Sequence, residues 1–386
     1  MDIIPYGKHH ITEDDIENVV AVLKSGSLTC GPKIREFEEK FRSYVGMPSY
    51  ALAVCNGTAA LHLAAKSLGV CDGDNVIVST ITFAASANCI RFCGGNVTFC
   101  DIDPETYLMD IAKLRRILES SPKGSYKGIV VVDFAGYPHN MEIVRSVADE
   151  YGLWIIEDAC HAPGAYFTDS KGSVQLTGNS RYADATVFSF HPVKHITSGE
   201  GGMMVTNRED IHRKASLLRT HGVTKRVEDM EKYDGGWYYE MVELGYNYRI
   251  TDIQAALAIS QLSRAKENVE TRREIARRYD EIFGKHERIK TPYVSKLVGH
   301  AYHLYLIQVD DRKGLYDYLR KNGVYSQVLY YPLHLMPYYK ALGCKEGDCP
   351  VAEEYYKHCL ALPMYPTLTR QEQDYVIEKV LEYVEN

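Results

Sequence analysis

Residues 188–203 read Phe-Ser-Phe-His-Pro-Val-Lys-His-Ile-Thr-Ser-Gly-Glu-Gly-Gly-Met, and this stretch is the most informative segment of the chain. It leaves an apolar run, Ala185 to Phe190, and passes through a polar, glycine-rich loop that holds Lys194. A second apolar run, Gly202 to Thr206, follows directly. A lysine at a strand end that faces a cleft can form a Schiff base with an aldehyde cofactor, and glycines let backbone approach such a site closely. Taken alone, the lysine is better explained as a solvated loop residue.

The same arrangement, a short β-branched run followed by a helical pattern, recurs upstream of the lysine loop. Helical stretches with apolar residues at a period of about 3.6 separate these runs. Such alternation predicts an α/β large domain with a mostly parallel central sheet sandwiched by helices. The upstream runs are Tyr50 to Cys55, Asn75 to Ser79, Val97 to Cys100, Gly128 to Asp133 and Leu153 to Glu157.

A long charged helical stretch, Thr251 to Phe283, follows the core domain and has the composition of a connector. We therefore predict a large domain over residues 1–260, including the N-terminal segment, and a small α+β domain over 261–386. The elements predicted for the small domain are strands at His303 to Val309 and Tyr325 to Leu329, and helices at Arg312 to Asn322, Val351 to Cys359 and Arg370 to Glu385.

Composition excludes several classes of function. The chain has 386 residues, 45% of them hydrophobic, and a formal net charge of -7, so it lacks the basic excess of a nucleic-acid-binding protein. No apolar run approaches the ~20 residues that span a bilayer, and no signal peptide is evident, so we expect a cytoplasmic protein with no membrane partner. The ten cysteines are scattered, which suits reduced thiols. Cys344, Cys349, His358 and Cys359 lack paired metal-ligand spacing, so no metal site is expected.

A carboxylate follows another apolar run, in Leu153-Trp-Ile-Ile-Glu-Asp-Ala-Cys-His161. A side chain at the carboxyl end of a parallel strand points into the ligand crevice. Asp158 at that position suits pyridoxal 5'-phosphate, because an ionised carboxylate keeps the pyridine nitrogen protonated. By itself, Asp158 is also explained as a helix cap. His161 could either contact a cofactor or pack beside it.

The stretch Cys55-Asn-Gly-Thr-Ala-Ala60 takes a strand end into an amphipathic helix. The free N–H groups of a helix start bind anions, and Thr58 adds a hydroxyl donor, although an ordinary helix cap would have the same sequence. Ser189 is a further candidate phosphate donor. Phe83, after the next run, could stack on a cofactor ring or belong to the core. The combination favours a cofactor site, since all four features follow predicted strands.

With these residues in view, the chain resembles the nucleotide-sugar aminotransferases of the DegT/StrS family, from about Tyr6 to the C-terminus. The resemblance implies fold type I, a pyridoxal 5'-phosphate cofactor and transaminase activity. The matching stretches, besides the Lys194 loop and its end Gly199-Glu-Gly-Gly202, are Ser27-Leu-Thr-Cys-Gly31, Asn56-Gly-Thr-Ala-Ala-Leu61, Thr82-Phe-Ala-Ala-Ser-Ala-Asn88, Glu157-Asp-Ala-Cys-His-Ala162 and Gly245-Tyr-Asn-Tyr-Arg249.

Carried over by residue, the resemblance makes Lys194 the Schiff-base lysine and proton-transfer base, and Asp158 the partner of the pyridine nitrogen. It implies a homodimer with shared active sites, in which Asn247 reaches the cofactor of the neighbouring subunit. The cofactor contacts implied are Gly57, Thr58, Ala59, Phe83, Asp158, His161, Ser189, Lys194 and Asn247. The substrate contacts implied are Tyr6, Gly26, Ser27, Leu28, Thr29, Asn247, Gln327, Val328, Leu329 and Tyr330.

Within the family, the resemblance is to members of pseudaminic acid biosynthesis. It implies that L-glutamate aminates carbon 4 of UDP-2-acetamido-2,6-dideoxy-β-L-arabino-hex-4-ulose. The alternatives are UDP-4-keto-6-deoxy-D-GlcNAc, a dTDP-keto sugar, a sugar dehydratase of the same fold, which would have histidine where Lys194 stands, and a dimer without enzymatic activity.

Three segments depart from the family pattern or are open in their role. His195 stands where a small residue or proline is more familiar, and the insert from Thr168 to Arg181 is long. Both are expected to flank the active site. The aromatic stretch Tyr330 to Tyr339 could form a wall over the sugar or pack in the core.

Overall fold

A seven-stranded sheet is the central element of the computed structural model, which describes residues 3–385. The strand order is β1-β9-β8-β5-β4-β2-β3, and β9 runs opposite to its neighbours β8 and β1 while the other pairs are parallel. The strands are β1 (Tyr50–Val54), β2 (Asn75–Ser79), β3 (Asn96–Cys100), β4 (Gly128–Val132), β5 (Trp154–Asp158), β6 (Tyr166–Thr168), β7 (Val174–Leu176), β8 (Ala185–Ser189), β9 (Gly202–Thr206), β10 (Val223–Thr224), β11 (Glu240–Met241), β12 (Val298–Gly299), β13 (Tyr305–Gln308) and β14 (Cys359–Leu362).

Helices cover both faces of this sheet. They are α1 (Glu13–Ser25), α2 (Pro32–Tyr44), α3 (Gly57–Ser67), α4 (Ala85–Phe92), α5 (Ile111–Glu119), α6 (Met141–Tyr151), α7 (Glu209–Arg219), α8 (Asp252–Ser263), α9 (Ala265–Phe283), α10 (Arg312–Lys321), α11 (Pro337–Lys340), α12 (Pro350–His358) and α13 (Arg370–Glu385). The predicted mostly parallel sheet between helices is therefore confirmed. The strands predicted for it agree with the structure to within one residue at each end, because fully buried strands leave continuous apolar runs in the sequence.

The C-terminal part has its own apolar core, to which α9, α10, α13, β13 and β14 contribute. Ile4 packs into this cluster and pairs with Val324, so the N-terminal segment contacts the C-terminal unit. The domain boundary at residues 260 and 261 stays a prediction.

Two of the predicted elements in the second half are wrong. The stretch Tyr325 to Leu329 is not a strand: Gln327 makes a single bridge to Ala361, and β13 pairs instead with β14, which begins at the end of the predicted α12. The predicted long helix is broken at Arg264 into α8 and α9, and the Arg264 guanidinium binds the Asp15 carboxylate of α1. In both cases the observed interaction joins segments that are far apart in the sequence: β14 pairs with β13, and Asp15 binds Arg264.

The insert from Thr168 to Arg181 forms most of a β6–β7 hairpin, and β12 joins it as a third strand. The hairpin therefore links β12, which precedes β13, to the large sheet, against which Phe167 of β6 packs. Among residues 3–385, no helix combines the length and apolar composition needed to cross a bilayer.

Candidate active site

A cavity of about 480 Å³ opens where β5 and β8 end and α3 begins. The sheet topology explains the position, since β4, β5 and β8 are parallel and their carboxyl ends meet at one edge. The predicted site residues that line this cavity are Tyr6, Gly57, Thr58, Phe83, Asp158, His161, Ser189, Lys194, Leu329 and Tyr330.

Lys194 lies in the loop after β8, where its backbone N–H donates to the His191 carbonyl. Its ammonium nitrogen lies 3.3 Å from His303 Nε2 and makes no hydrogen bond to a carboxylate within the described residues. Burial lowers the pKa of Lys194 to about 8, while the Cys160 and Asp158 side chains act in the opposite direction. A lysine in this state has an appreciable fraction of nucleophilic free amine near neutral pH.

Asp158 ends β5, and its carboxylate is held on both oxygens. Ser86 Oγ donates to Oδ2 at 2.6 Å, and the backbone N–H of Cys160 donates to Oδ1 at 3.2 Å. Thr82 Oγ1 lies 2.7 Å from Ser86 Oγ and so fixes that hydroxyl in turn. The carboxylate is thus oriented at the cavity wall before any ligand binds.

The start of α3 forms an anion cradle. Asn56 Oδ1 accepts the backbone N–H of Ala59 at 2.8 Å, which leaves the N–H groups of Gly57 and Thr58 at the cavity wall. A Cβ on Gly57 would lie 2.9 Å from Ser189 Cβ, so only glycine allows Ser189 to come this close. Two amides, two hydroxyls and a helix N-terminus therefore converge, as a phosphate requires.

Aromatic and imidazole rings complete the cavity wall. Phe83 is 61% exposed, and its ring is 6.3 Å from that of Tyr330. His161 Nδ1 accepts the backbone N–H of Ala135 at 3.2 Å, so its Nε2 carries the proton and faces the Tyr330 hydroxyl at 3.3 Å. Burial, together with Lys194, holds the pKa of His161 well below its usual range, so this ring is neutral.

Several predicted site residues do not line the cavity within one chain. Ala59 is buried and uses its N–H in the Asn56 cap, and Gln327 and Val328 stay outside although their neighbours Leu329 and Tyr330 line it. Residues 26–29 and Asn247 are exposed on the surface. Their assignments as substrate or cofactor contacts stay predictions.

The three segments that depart from the family pattern take different positions. His195 is buried and its Nε2 donates to the Ala301 carbonyl at 2.8 Å. None of the residues 168–181 lines the cavity. Of the aromatic stretch, Tyr330 lines the cavity, whereas Leu333 and Tyr339 pack in the core.

Two side chains that hydrogen-bond to Asp158 and Lys194 were not predicted as site residues from the sequence. Ser86 lies within the Thr82 to Asn88 stretch, and its spacing from a helix start was the available signal. His303 lies 109 residues after Lys194, and no local pattern indicates that it reaches the amine.

The arrangement fits pyridoxal 5'-phosphate. Lys194 would bind its aldehyde, Asp158 its ring nitrogen, and Phe83 its ring face. The cradle of Gly57, Thr58 and Ser189 would hold its phosphate. The cradle carries most weight in this fit, because an added Cβ at Gly57 would push Ser189 out of place.

Comparison with known proteins gives the same picture over the whole chain. Residues 9–381 match the model of the DegT/DnrJ/EryC1/StrS aminotransferase family. The spore coat polysaccharide biosynthesis protein SpsC of Bacillus subtilis is 38% identical over 389 residues, which cover 99% of this chain and 97% of SpsC.

Two further relatives have names that state a reaction or a pathway. The UDP-4-amino-4,6-dideoxy-N-acetyl-beta-L-altrosamine transaminase of Campylobacter jejuni is 34% identical over 389 residues, which cover 99% of this chain and 98% of the relative. The structure of Helicobacter pylori PseC, an aminotransferase involved in the biosynthesis of pseudoaminic acid, superposes with a TM-score of 0.90 at 28% identity and covers 100% of both chains.

Proposed function

The chain belongs to the DegT/DnrJ/EryC1/StrS aminotransferase family and is a pyridoxal-phosphate-dependent sugar aminotransferase of fold type I, and we propose its specific reaction. It transfers an amino group from L-glutamate to carbon 4 of UDP-2-acetamido-2,6-dideoxy-β-L-arabino-hex-4-ulose. The product is UDP-4-amino-4,6-dideoxy-N-acetyl-β-L-altrosamine, a precursor of pseudaminic acid. The Campylobacter relative and the fold of PseC support this substrate.

The observation that carries the proposal is the position of Lys194. Its amine enters the same cavity as the Asp158 carboxylate and the α3 cradle, and its pKa is lowered to about 8 by burial. A dehydratase of this fold would have histidine at this position, whereas the amine present here suits transamination.

Each of these residues has a definite task. Bound pyridoxal phosphate supplies an aldehyde that carries the amino group and a ring that takes up electrons. Asp158 holds the ring nitrogen protonated, and the Ser86 hydroxyl keeps this carboxylate in place. Lys194 Nζ, once free, takes the proton from the α-carbon of glutamate and returns a proton when the sugar is aminated. The same cavity serves both half reactions, so the kinetics are ping-pong.

The test is an assay with purified protein, pyridoxal phosphate and L-glutamate, in which each of the two epimeric UDP-4-keto-6-deoxy sugars is supplied separately. Mass spectrometry and NMR identify the product. Amination of the L-arabino sugar alone is expected. Amination of the D-xylo epimer alone would keep the cofactor chemistry and refute the proposed substrate.

A second candidate has a specific observation in its favour. SpsC, named for spore coat polysaccharide biosynthesis, is 38% identical to this chain, against 34% for the Campylobacter transaminase. A different nucleotide-linked keto sugar, either the D-xylo UDP sugar or a dTDP sugar, is therefore the alternative acceptor. Both belong in the same assay series.

We also propose that the active form is a homodimer with shared sites. Among the described residues that line the cavity, Lys194 is the sole lysine or arginine, whereas a nucleotide diphosphate brings at least two negative charges. Residues 225–249 contain Lys225 and Arg226, and they expose Trp237 and Leu244 at 76% each. An apolar surface with neighbouring cations suits contact with a second copy at the mouth of the cavity.

Complementation between inactive chains tests the shared site. A mixture of Lys194→Ala and Asn247→Asp chains, refolded together, should regain activity, because each hybrid dimer has one site with the lysine of one chain and the asparagine of the other. No gain over either variant alone would place Asn247 in its own chain's site or outside both. The predicted cytoplasmic location awaits cell fractionation.

A further inference from the structure

Four buried histidines surround the Lys194 loop, and the proposed reaction assigns a task to none of them. Their side chains are 3–5% exposed. They come from separate parts of the chain: His161 follows β5, His195 follows Lys194, and His300 and His303 lie between β12 and β13. Clustered buried imidazoles need hydrogen-bond partners, because an unpaired buried polar group is costly.

Backbone groups hydrogen-bond to one nitrogen of each of three of these rings. The Ala135 N–H donates to His161, His195 donates to the Ala301 carbonyl, and the Tyr302 N–H donates to His300 Nδ1 at 2.8 Å. These contacts fix the tautomer of each ring. They also explain the rings as structural parts of the wall behind the cavity.

His303 differs from the other three, because its recorded hydrogen bond is to the lysine. Its Nε2 lies 3.3 Å from Lys194 Nζ. Its Nδ1, like that of His195, is buried without a hydrogen-bond partner among the described residues. Among residues 3–385, the hydrogen-bond partner of Lys194 Nζ is His303. The contact joins the lysine loop after β8 to the segment that leads into β13.

The direction of this hydrogen bond follows from the charges. A protonated amine has donors and no acceptor, so His303 Nε2 must accept. Burial and the positive charges of Lys194 and Arg272 hold the pKa of His303 well below its usual range, so the ring is neutral and has a free lone pair. A protonated His303 would repel the ammonium.

We propose that His303 is a positioning residue, which accepts a hydrogen bond from Lys194 Nζ whenever that amine is not bonded to the cofactor. The bond holds the amine at the cavity wall between the two half reactions, ready to move a proton. Its benefit for turnover rests on the proposed aminotransferase reaction, whereas the contact itself is a property of the protein alone.

Other groups also face the Lys194 amine and affect its pKa. From the end of β5 these are Asp158, Cys160 and His161, and from the lysine loop His195. Asp158 favours the ammonium form, and burial opposes it more strongly. Loss of the acceptor should therefore lower the pKa of Lys194 further.

Paired substitutions at His303 separate this role from general packing. The terminal amide of glutamine reaches the position of histidine Nε2, whereas that of asparagine reaches only the position of Nδ1. His303→Gln should therefore keep an acceptor for Lys194, and His303→Asn should lose it. His300→Asn is the matched control, since it keeps an acceptor for the Tyr302 N–H and lies outside the lysine contact.

The measurement is the rate at which cyanate labels Lys194 in each apoprotein as a function of pH, read by mass spectrometry of the peptide. At pH 7, His303→Asn should label about fivefold faster than wild type, because losing a hydrogen bond to a charged group lowers the lysine pKa from about 8 by about one unit and so raises the fraction of free amine from about 9% to about 50%. His303→Gln and His300→Asn should match wild type within about twofold.

Equal labelling of His303→Asn and wild type would overturn the proposal, as would an equal shift in both His303 variants. Thermal unfolding of each variant shows that the comparison is made between folded proteins. Because labelling needs neither cofactor nor sugar, the proposed reaction could fail while this contact is confirmed. In the loaded enzyme, His303→Asn should lower kcat with little change in KM for the sugar.

Discussion

Gly57→Ala is the substitution that tests the phosphate cradle most directly. The added methyl would lie 2.9 Å from Ser189 Cβ and 3.3 Å from its Oγ, distances that force Ser189 to move. The substitution should weaken cofactor binding, because the displaced Ser189 hydroxyl no longer lies beside the α3 amides. A hydrogen bond to a charged group contributes about 1.5–3 kcal/mol, so affinity for pyridoxal phosphate should fall about 10- to 150-fold.

The assay is titration of the apoprotein with pyridoxal phosphate, followed by absorbance, and repeated with pyridoxal, which lacks the phosphate. Only binding of the phosphorylated form should weaken. Unchanged affinity in Gly57→Ala, or an equal loss for pyridoxal, would refute the assignment of the cradle.

Four other predictions follow from the same structure. Lys194→Ala should lower turnover about a thousandfold while thermal unfolding stays near wild type; near-normal amination would reject this lysine as the base. Asp158→Asn should slow the half reaction with glutamate by on the order of 100-fold in stopped-flow absorbance, and an unchanged rate would separate Asp158 from the ring nitrogen. The rate at which the apoprotein captures pyridoxal phosphate should rise about tenfold per pH unit up to about pH 8 and then level off. Burial lowers the pKa of Lys194 to about 8, and only the free amine reacts. A rate that continues to rise to pH 10 would contradict that pKa. Burial raises the pKa of the Asp133 carboxyl from 3.8 to about 8, so between these pH values the folded state holds a proton that the unfolded state has lost. This group therefore lowers the free energy of unfolding as the pH rises from about 4 to about 8. Asp133→Asn should reduce that slope in denaturant titrations without removing it, because burial also raises the pKa of the neighbouring Glu157 carboxyl to about 8. Parallel curves for variant and wild type would show that the Asp133 carboxyl is already ionised.

The sequence predicted which groups at strand ends line the cavity. Asp158 and Ser189 end buried strands and the start of α3 follows one, and parallel strands place their carboxyl ends at one edge. Local order along the chain is therefore enough to bring these groups together. The residues alone suggested a Schiff-base lysine and a carboxylate for the pyridine nitrogen, and the resemblance to known enzymes added the remaining cofactor contacts.

The half of the site that comes from the second part of the chain could not be derived in this way. His303 reaches Lys194 across 109 residues, and Tyr330, which lines the cavity, directly follows the segment Tyr325 to Leu329 that was wrongly predicted to be a strand. Both positions depend on how β13 pairs with β14 and how the β6–β7 hairpin holds β12. Neither pairing leaves a periodic signal in the sequence.

This division has a consequence for specificity. The groups proposed to act on the cofactor lie at the edge of the large sheet, where the parallel strands end. Leu329 and Tyr330, which line the remaining wall, are positioned by loops whose course depends on long-range packing. Relatives at 34% and 38% identity can therefore share the lysine chemistry while their acceptor sugars differ. Exchange of residues 326–331 with the corresponding segment of SpsC should accordingly change the ratio of kcat/KM between the two epimeric sugars, and leave the half reaction with glutamate within about twofold of wild type. If the glutamate half reaction changed and the sugar preference did not, the wall formed by Tyr330 would belong to the cofactor site instead.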